Sequence, residues 1–240
     1  MNGSEELLID RPRGELLRLR LNRPDRLNAI DMPLVNALIA AFDDVDARAV
    51  VLGSSTPKAF CSGADLDLED EERARVSDLL YELYEKMVGL PVPIVVALDG
   101  HAVGGGAQLA IAGDLRVAGP ETKIRVAGPG HGLAVAAWGL PSLVGRGRAL
   151  DLCLTMRHVG AKEALTIGLV DRVEEDPGKA AVDLASELAR LDPAAVRRVK
   201  RVVSAASGPL DALRQERSGN RESWSGSVGA SALRGGEQSE

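Results

Sequence analysis

The chain has 240 residues, of which 45% are hydrophobic and only 2% aromatic, and its formal net charge is −6 at pH 7. That length allows one large domain with a real core, which must be built from Ala, Val, Leu and Ile. The acidic balance argues against a nucleic-acid partner. The two cysteines, Cys61 and Cys153, have neither metal nor disulfide spacing, so no metal is expected and both thiols are expected reduced, as in a cytoplasmic protein.

The opening Met1-Asn2-Gly3-Ser4-Glu5-Glu6 is polar and acidic and does not read as a signal peptide. Leu7 to Asp10 and Leu16 to Leu21 read as a hairpin turning at Pro12-Arg13-Gly14. Asn22 to Asn28 is a polar loop carrying Arg23 and Arg26. Asp31 is a good N-cap for a helix in which Leu34, Val35, Leu38, Ile39, Phe42 and Val45 recur at helical spacing. Ala49 to Leu52 reads as a buried strand, and Ser54 to Leu66 as the loop that leaves it. Leu68 to Leu90 is a charged amphipathic helix with Val76, Leu79, Leu80, Leu83, Tyr84 and Met87 on its apolar side.

Ile94 to Leu98 is a second buried strand, followed by a turn at Asp99-Gly100. Gly104-Gly105-Gly106 then leads into a helical run, Ala107 to Ala112. Asp99, His101, Gln108 and the glycines exclude a membrane span here. Another strand follows at Leu115 to Ala118. Strands and helices alternating in this way predict an α/β sheet with largely parallel pairing. From Val135 the pattern becomes mostly helical, with helices over 147–155, 161–167, 177–191 and 193–206 and one strand over 169–173. Ser218 to Glu240 is rich in Ser and Gly, has one apolar anchor, Trp224, and reads as mobile or partner-dependent.

Glycine lets a ligand approach the main chain, and a helix start presents unpaired N–H groups. The triple glycine therefore makes a place for an anion or a polarised oxygen. It fits neither G-x-G-x-x-G nor a P-loop. The loop Lys58-Ala59-Phe60-Cys61-Ser62-Gly63-Ala64-Asp65-Leu66 also leaves the carboxyl end of a strand, where α/β sheets form their crevice. Two backbone donors meeting there would form an oxyanion hole.

This pair of loops resembles the crotonase superfamily, the enoyl-CoA hydratase/isomerase fold. The matching pieces occur in family order. They are Arg23-Pro24 with Leu27-Asn28-Ala29, Phe60 to Leu66, Asp99-Gly100 with Gly104 to Gly106, Gly113-Asp114-Leu115-Arg116, Leu143-Val144-Gly145, and Gly168 to Val173. The resemblance implies an α/β, crotonase-like spiral of ββα units over residues 1–190. Residues 191–240 would form a helical C-terminal trimerisation region with a flexible tail. It implies homotrimers or dimers of trimers, and an acyl-CoA thioester as substrate or ligand with no further cofactor. The thioester oxygen would sit between the amides of Ala64 and Gly105. Asp65 and Leu66 would line the CoA, and Arg26, Leu27 and Ala29 would lie near its nucleotide end. Arg26 either meets phosphate there or is a solvated loop arginine, and Asp65 either lines CoA or caps the next segment.

Hydratases of this family use two glutamates, at positions held here by Gln108 and Gly128. Neither residue can exchange a proton at neutral pH, and 123–150 contains no Asp or Glu. The expectation is an acyl-CoA-binding protein with weak or no hydratase activity. The alternative is an active enzyme working through enolate stabilisation. A subgroup of the family with Gln after the glycines, resembling Gly132-Leu133-Ala134, Trp138 and Ser142 to Gly145 here, binds long-chain acyl-CoA without turning it over. His131 is either a base near neutral pH or a loop histidine facing solvent or a neighbouring subunit, the commoner place for histidine. His101 and His158 read as structural, and Trp138 packs either against the acyl chain or in the core.

Overall fold

The structure, a computed structural model, describes residues 5–225. The hairpin forms as expected from β1 (Leu7–Asp10) and β2 (Leu16–Leu21), and Asp31 caps α1 (Met32–Asp43) by accepting from the Leu34 amide at 3.0 Å. The chain then repeats one unit: a long strand, a three-residue strand and a helix. The first is β3 (Ala49–Ser54), β4 (Ala59–Cys61) and α2 (Asp70–Gly89). The second is β5 (Ile94–Leu98), β6 (His101–Val103) and α3 (Gly105–Ile111). The third opens with β7 (Leu115–Ala118) and β8 (Lys123–Arg125) and continues through a loop into α4 (Leu140–Val144) and α5 (Arg146–Thr155). β9 (Val159–Gly160), α6 (Ala161–Ile167), β10 (Arg172–Val173), α7 (Pro177–Ala189), α8 (Pro193–Ser207) and α9 (Pro209–Ser225) complete it.

The long strands make a six-stranded sheet, order β1-β2-β3-β5-β7-β10, parallel except for β1. The short ones make a second sheet, β4-β6-β8-β9. This is the spiral of ββα units that the motifs implied. The central strands are buried on both faces, so side-chain alternation divides them between two cores. Val50 and Leu52 of β3 and Ile94, Val96 and Leu98 of β5 face the large core shared with α1, α2 and α3. Val51 and Val95 face a smaller one that α7 covers with Ala181, Val182, Leu184 and Ala185.

Three readings need correction. The segments holding β4 and β6 had read as loop and turn and that of β8 had no element, whereas all three are strands and His101 begins β6. The strand expected over 169–173 shrinks to the two residues of β10. The segment from Ser218 is helical as far as Ser225, because α9 packs back on α2 and buries Leu213, Glu216 and Asn220. The rest of that expected tail, 226–240, lies outside the described residues. α8 buries no residue and leaves Val199, Val202 and Val203 more than 60% exposed. Lys200 ties α8 to the body through Asp114 at 2.7 Å and the Val92 carbonyl at 3.1 Å. Among the described residues no helix is long and apolar enough to cross a membrane.

Candidate active site

The loop after β4 passes alongside the start of α3. Ile30 forms a parallel bridge with Ala64: its amide donates to Gly63 O at 2.7 Å, and its carbonyl accepts from Asp65 N at 2.9 Å. Both bonds use the neighbours of Ala64, so its own N–H points away from Ile30. Gly63 has φ +97°, and a Cβ there would lie 2.9 Å from Val103 O, so the position requires glycine. Gly106 has no room either, since a Cβ would come within 2.2 Å of Cys61 O; its bareness lets α3 close on β4. Gly105 opens α3, where first-turn amides lack intrahelical acceptors. Ala64 N lies 3.8 Å from where a Gly105 Cβ would stand. The Tyr84 hydroxyl donates to Gly105 O at 2.8 Å and fixes that end of the helix.

These residues border a cavity of about 560 Å³, whose wall includes Ala64, Leu66, Gly105, Gln108, Tyr81 and His131. Arg26, Leu27, Ala29 and Asp65 lie outside that wall. Leu27 and Asn28 have positive φ, 49° and 55°, and the buried Asn28 amide holds the bend by donating to Ser54 Oγ and to the carbonyls of Ala59 and Phe60. Asn28 was quoted only as part of a motif; its work is to fasten the two loops. Arg26 is engaged by two carboxylates, Asp65 at 2.9 Å and Asp67. Asp65 also takes Arg23 at 3.2 Å and the Asp67 amide at 3.1 Å, the turn-capping role left open by the sequence. Burial pushes the Asp65 carboxyl up, but the Asp67 amide and the two guanidinium groups outweigh it and hold it below the usual carboxylate range.

Gln108 is 4% exposed, and its Oε1 accepts from Ala136 N at 3.0 Å and Trp138 Nε1 at 2.9 Å. Trp138 is therefore a core residue, stacked on Tyr84, and does not line the cavity. Gly128 does not line it either. A Cβ there would lie 2.6 Å from Leu133 O and 2.9 Å from the Val135 Cβ, so the loop as folded accepts no side chain. Gly130 does line the cavity, and a Cβ there meets only the Met156 thioether at 3.3 Å.

Sequence reasoning missed a carboxylate that arrives from α9. Glu216 takes the Tyr81 hydroxyl at 2.7 Å, Ala136 N at 3.1 Å and Trp138 N at 2.9 Å. It shares the Ala136 amide with Gln108 and so lies beside that side chain. It sits behind the cavity wall, with Tyr81 and Asn220 between; the Asn220 amide donates to the Tyr81 oxygen at 2.8 Å. Burial pushes the Glu216 carboxyl above its ordinary value, against the hydrogen bonds from Tyr81 and the backbone amides. Burial and Glu216 together push the Tyr81 phenol up as well. No local pattern marks Glu216 in the sequence, because the 123–150 segment is 80 residues or so away and only the tertiary fold joins them.

His131 lines the cavity instead of lying free on the surface. Burial first, then the charges of Arg73 and Arg125, push its imidazole below the usual histidine value. Its Nδ1 is buried with no hydrogen-bond partner among the described residues. Trp224, the anchor read in the tail, lines the same cavity with Arg73 5.5 Å over its ring.

Two sheets of a ββα spiral, with a bare helix start facing the loop of a neighbouring unit, define the crotonase fold. The chain belongs to the enoyl-CoA hydratase/isomerase family, whose model matches residues 12–232. It is 40% identical over 196 residues to the probable enoyl-CoA hydratase echA6 of Mycobacterium bovis, covering 79% of each chain. It is 37% identical over 220 residues to a putative enoyl-CoA hydratase of Thermus thermophilus, covering 84% of this chain and 85% of the relative. A crystal structure of an enoyl-CoA hydratase/isomerase from Mycobacterium paratuberculosis superimposes with a TM-score of 0.86 at 26% identity, over 98% of this chain and 100% of that one.

Proposed function

We propose that the protein binds an acyl-CoA thioester with its carbonyl oxygen between the amides of Ala64 and Gly105, and has weak or no hydratase activity. The observation that carries this is the Ile30 bridge, which leaves the Ala64 amide unused on the side where α3 begins. Gln108 and Gly128 stand where the family's two glutamates would act; the first has both acceptor positions filled and the second has no space for a side chain. The coenzyme A thioester is the ligand itself, so no resident cofactor is required. The protein works in the cytoplasm as a homotrimer or a dimer of trimers, with the exposed valines of α8 as the contact face.

One observation favours a second reading, an active enoyl-CoA hydratase or isomerase. Tyr81 lines the cavity and its hydroxyl lies 2.7 Å from Glu216, so a phenol–carboxyl pair stands next to the place of the missing acids.

The test is to mix the protein with crotonyl-CoA and a longer enoyl-CoA, following the conjugated-thioester absorbance and, separately, binding. The first reading expects binding without loss of absorbance. Turnover abolished by Tyr81→Phe or Glu216→Gln would establish the second reading in its place. Gly105→Pro removes one amide, and Gly105→Ala, which keeps it, accounts for the Cβ that both add 3.1 Å from Leu80 Cδ1 and 3.8 Å from Ala64 N. Acyl-CoA affinity should then fall about tenfold relative to free CoA, the worth of one hydrogen bond. An unchanged ratio would remove the thioester from that pair of amides.

A further inference from the structure

The cavity wall is charged, and with one sign. Among the described residues lining it, Arg73 and Arg125 are the formal charges, His131 lies with them, and no Asp or Glu is present. Arg73 is 5% exposed on α2, and its one ion-pair partner among the described residues, Asp70, is 46% exposed on the outer side. Arg125 ends β8, with Nε on the Met156 carbonyl at 2.8 Å and no carboxylate in ion-pair distance among the described residues. The Arg125 carbonyl accepts the Gly104 amide at 2.9 Å, which puts this residue next to the glycine turn.

A second observation points the same way. Five buried side-chain polar atoms have no partner among the described residues, and three of them, Arg73 Nε, His131 Nδ1 and Trp224 Nε1, belong to side chains in this wall. An unsatisfied buried donor costs about 1–3 kcal/mol, and a protein does not ordinarily gather several at one place without a use for them. An anionic oxygen group in the cavity would balance the two guanidinium charges, and it reaches the three orphaned donors, which have no accessible surface, only if those side chains turn toward it. The same wall includes Leu80, Leu133 and Val135, apolar surface that suits a few methylenes.

We propose that the preferred ligand is an acyl-CoA whose acyl group ends in a carboxylate, a dicarboxylic acid monothioester, with that carboxylate held by Arg73, Arg125 and His131. This rests on the acyl-CoA reading above and adds the chemistry of the far end of the acyl group. The source of the anion is settled by comparing ligands that share the same CoA.

The experiment titrates the full chain calorimetrically with glutaryl-CoA and with 5-methylhexanoyl-CoA, which replaces the terminal carboxylate by an isosteric isopropyl group. Glutaryl-CoA is expected to bind about tenfold tighter or more, given the strength of charged hydrogen bonds. Arg125→Met, with Arg125→Gln as a second variant, should bring the ratio of the two affinities toward one. Equal affinities in the wild type would assign the cations to the shared CoA phosphates and overturn this proposal while leaving the acyl-CoA reading intact. A preference that survives both Arg125 variants would also overturn it. Binding of neither thioester would sink both readings together.

Discussion

Replacing Glu216 tests the account of the network behind the cavity. The carboxylate takes the Tyr81 hydroxyl and the amides of Ala136, Ala137 and Trp138, but these donors are not equally dependent on it. Ala136 N can fall back on Gln108 Oε1 at 3.0 Å, and the Tyr81 hydroxyl on the Ala134 carbonyl at 3.3 Å. Trp138 N, at 2.9 Å from Glu216, has no second acceptor in the set described. In Glu216→Ala that orphaned amide costs about 1–3 kcal/mol, and the one lost methylene costs about 0.8 kcal/mol. Relief of the buried carboxyl offsets part of this, so the net loss should be about 1–3 kcal/mol. Glu216→Gln keeps shape and one acceptor and should cost about 1 kcal/mol or less.

The pH dependence fixes the sign. Burial raises the carboxyl pKa of the folded state above its ordinary 4.5. The folded state therefore binds the proton more tightly. That contribution is fully present below 4.5 and is lost as pH rises through the folded value. Glu216→Gln removes it, so the variant should gain on the wild type as pH rises from 4.5 through the folded value. Urea unfolding of both proteins at equal concentration measures the difference. A Glu216→Ala loss under about 0.5 kcal/mol would show that Trp138 N finds another partner and refute the assignment of the network. A Gln-minus-wild-type difference that is flat across that pH range would refute the burial argument.

Gly128→Glu should misfold or lose several kcal/mol through overpacking against Leu133 and Val135, whereas Gly130→Glu should fold, displacing only the Met156 side chain; thermal melts of the two separate the cases. Gln108→Glu places a carboxylate beside Glu216, so its melting temperature should fall more steeply than that of the wild type as pH rises from 5 to 8. Asp78 holds Arg217 at 2.7 Å and Arg221 at 2.5 Å, so Asp78→Asn should cost about 1 kcal/mol and speed hydrogen exchange in α9 while leaving β3 and β5 protected. The Cys61 thiol is pushed up to about 12 and that of Cys153 to about 11, both by burial; a thiol reagent should therefore label the native protein slowly and reach Cys153 first.

The sequence made the long elements readable because each carries its own period. Asp31 with the apolar positions of α1 announces a capped helix, and Ile94 to Leu98 announces a strand buried on both faces. β4, β6 and β8 have three residues each, too few for a period, and exist because parallel neighbours from successive units pair with them. α9 was misread over its last turns because Ser218, Gly219 and Ser223 look like a tail. It is held by contacts no local window can see: Asp78 on its arginines, Arg214 on Glu85, and the burial of Leu213. At the site, the two glycine-bearing loops were legible because they need bare residues. Glu216 and the Arg73–Arg125 wall were not, since ordinary charged residues acquire meaning only from what the fold sets around them.

The last helix gives the cavity two of its wall residues, Asn220 and Trp224, while being anchored to α2 largely through ion pairs near the surface. The sheets and the smaller core are complete by α7, whereas α9 closes the large core with Leu213 and adds the outer boundary of the chamber. Exchanging Trp224, with Leu213 and Glu216 kept, would reshape the chamber without asking any strand to repack, so diversification of this chamber can proceed from its terminal segment inward.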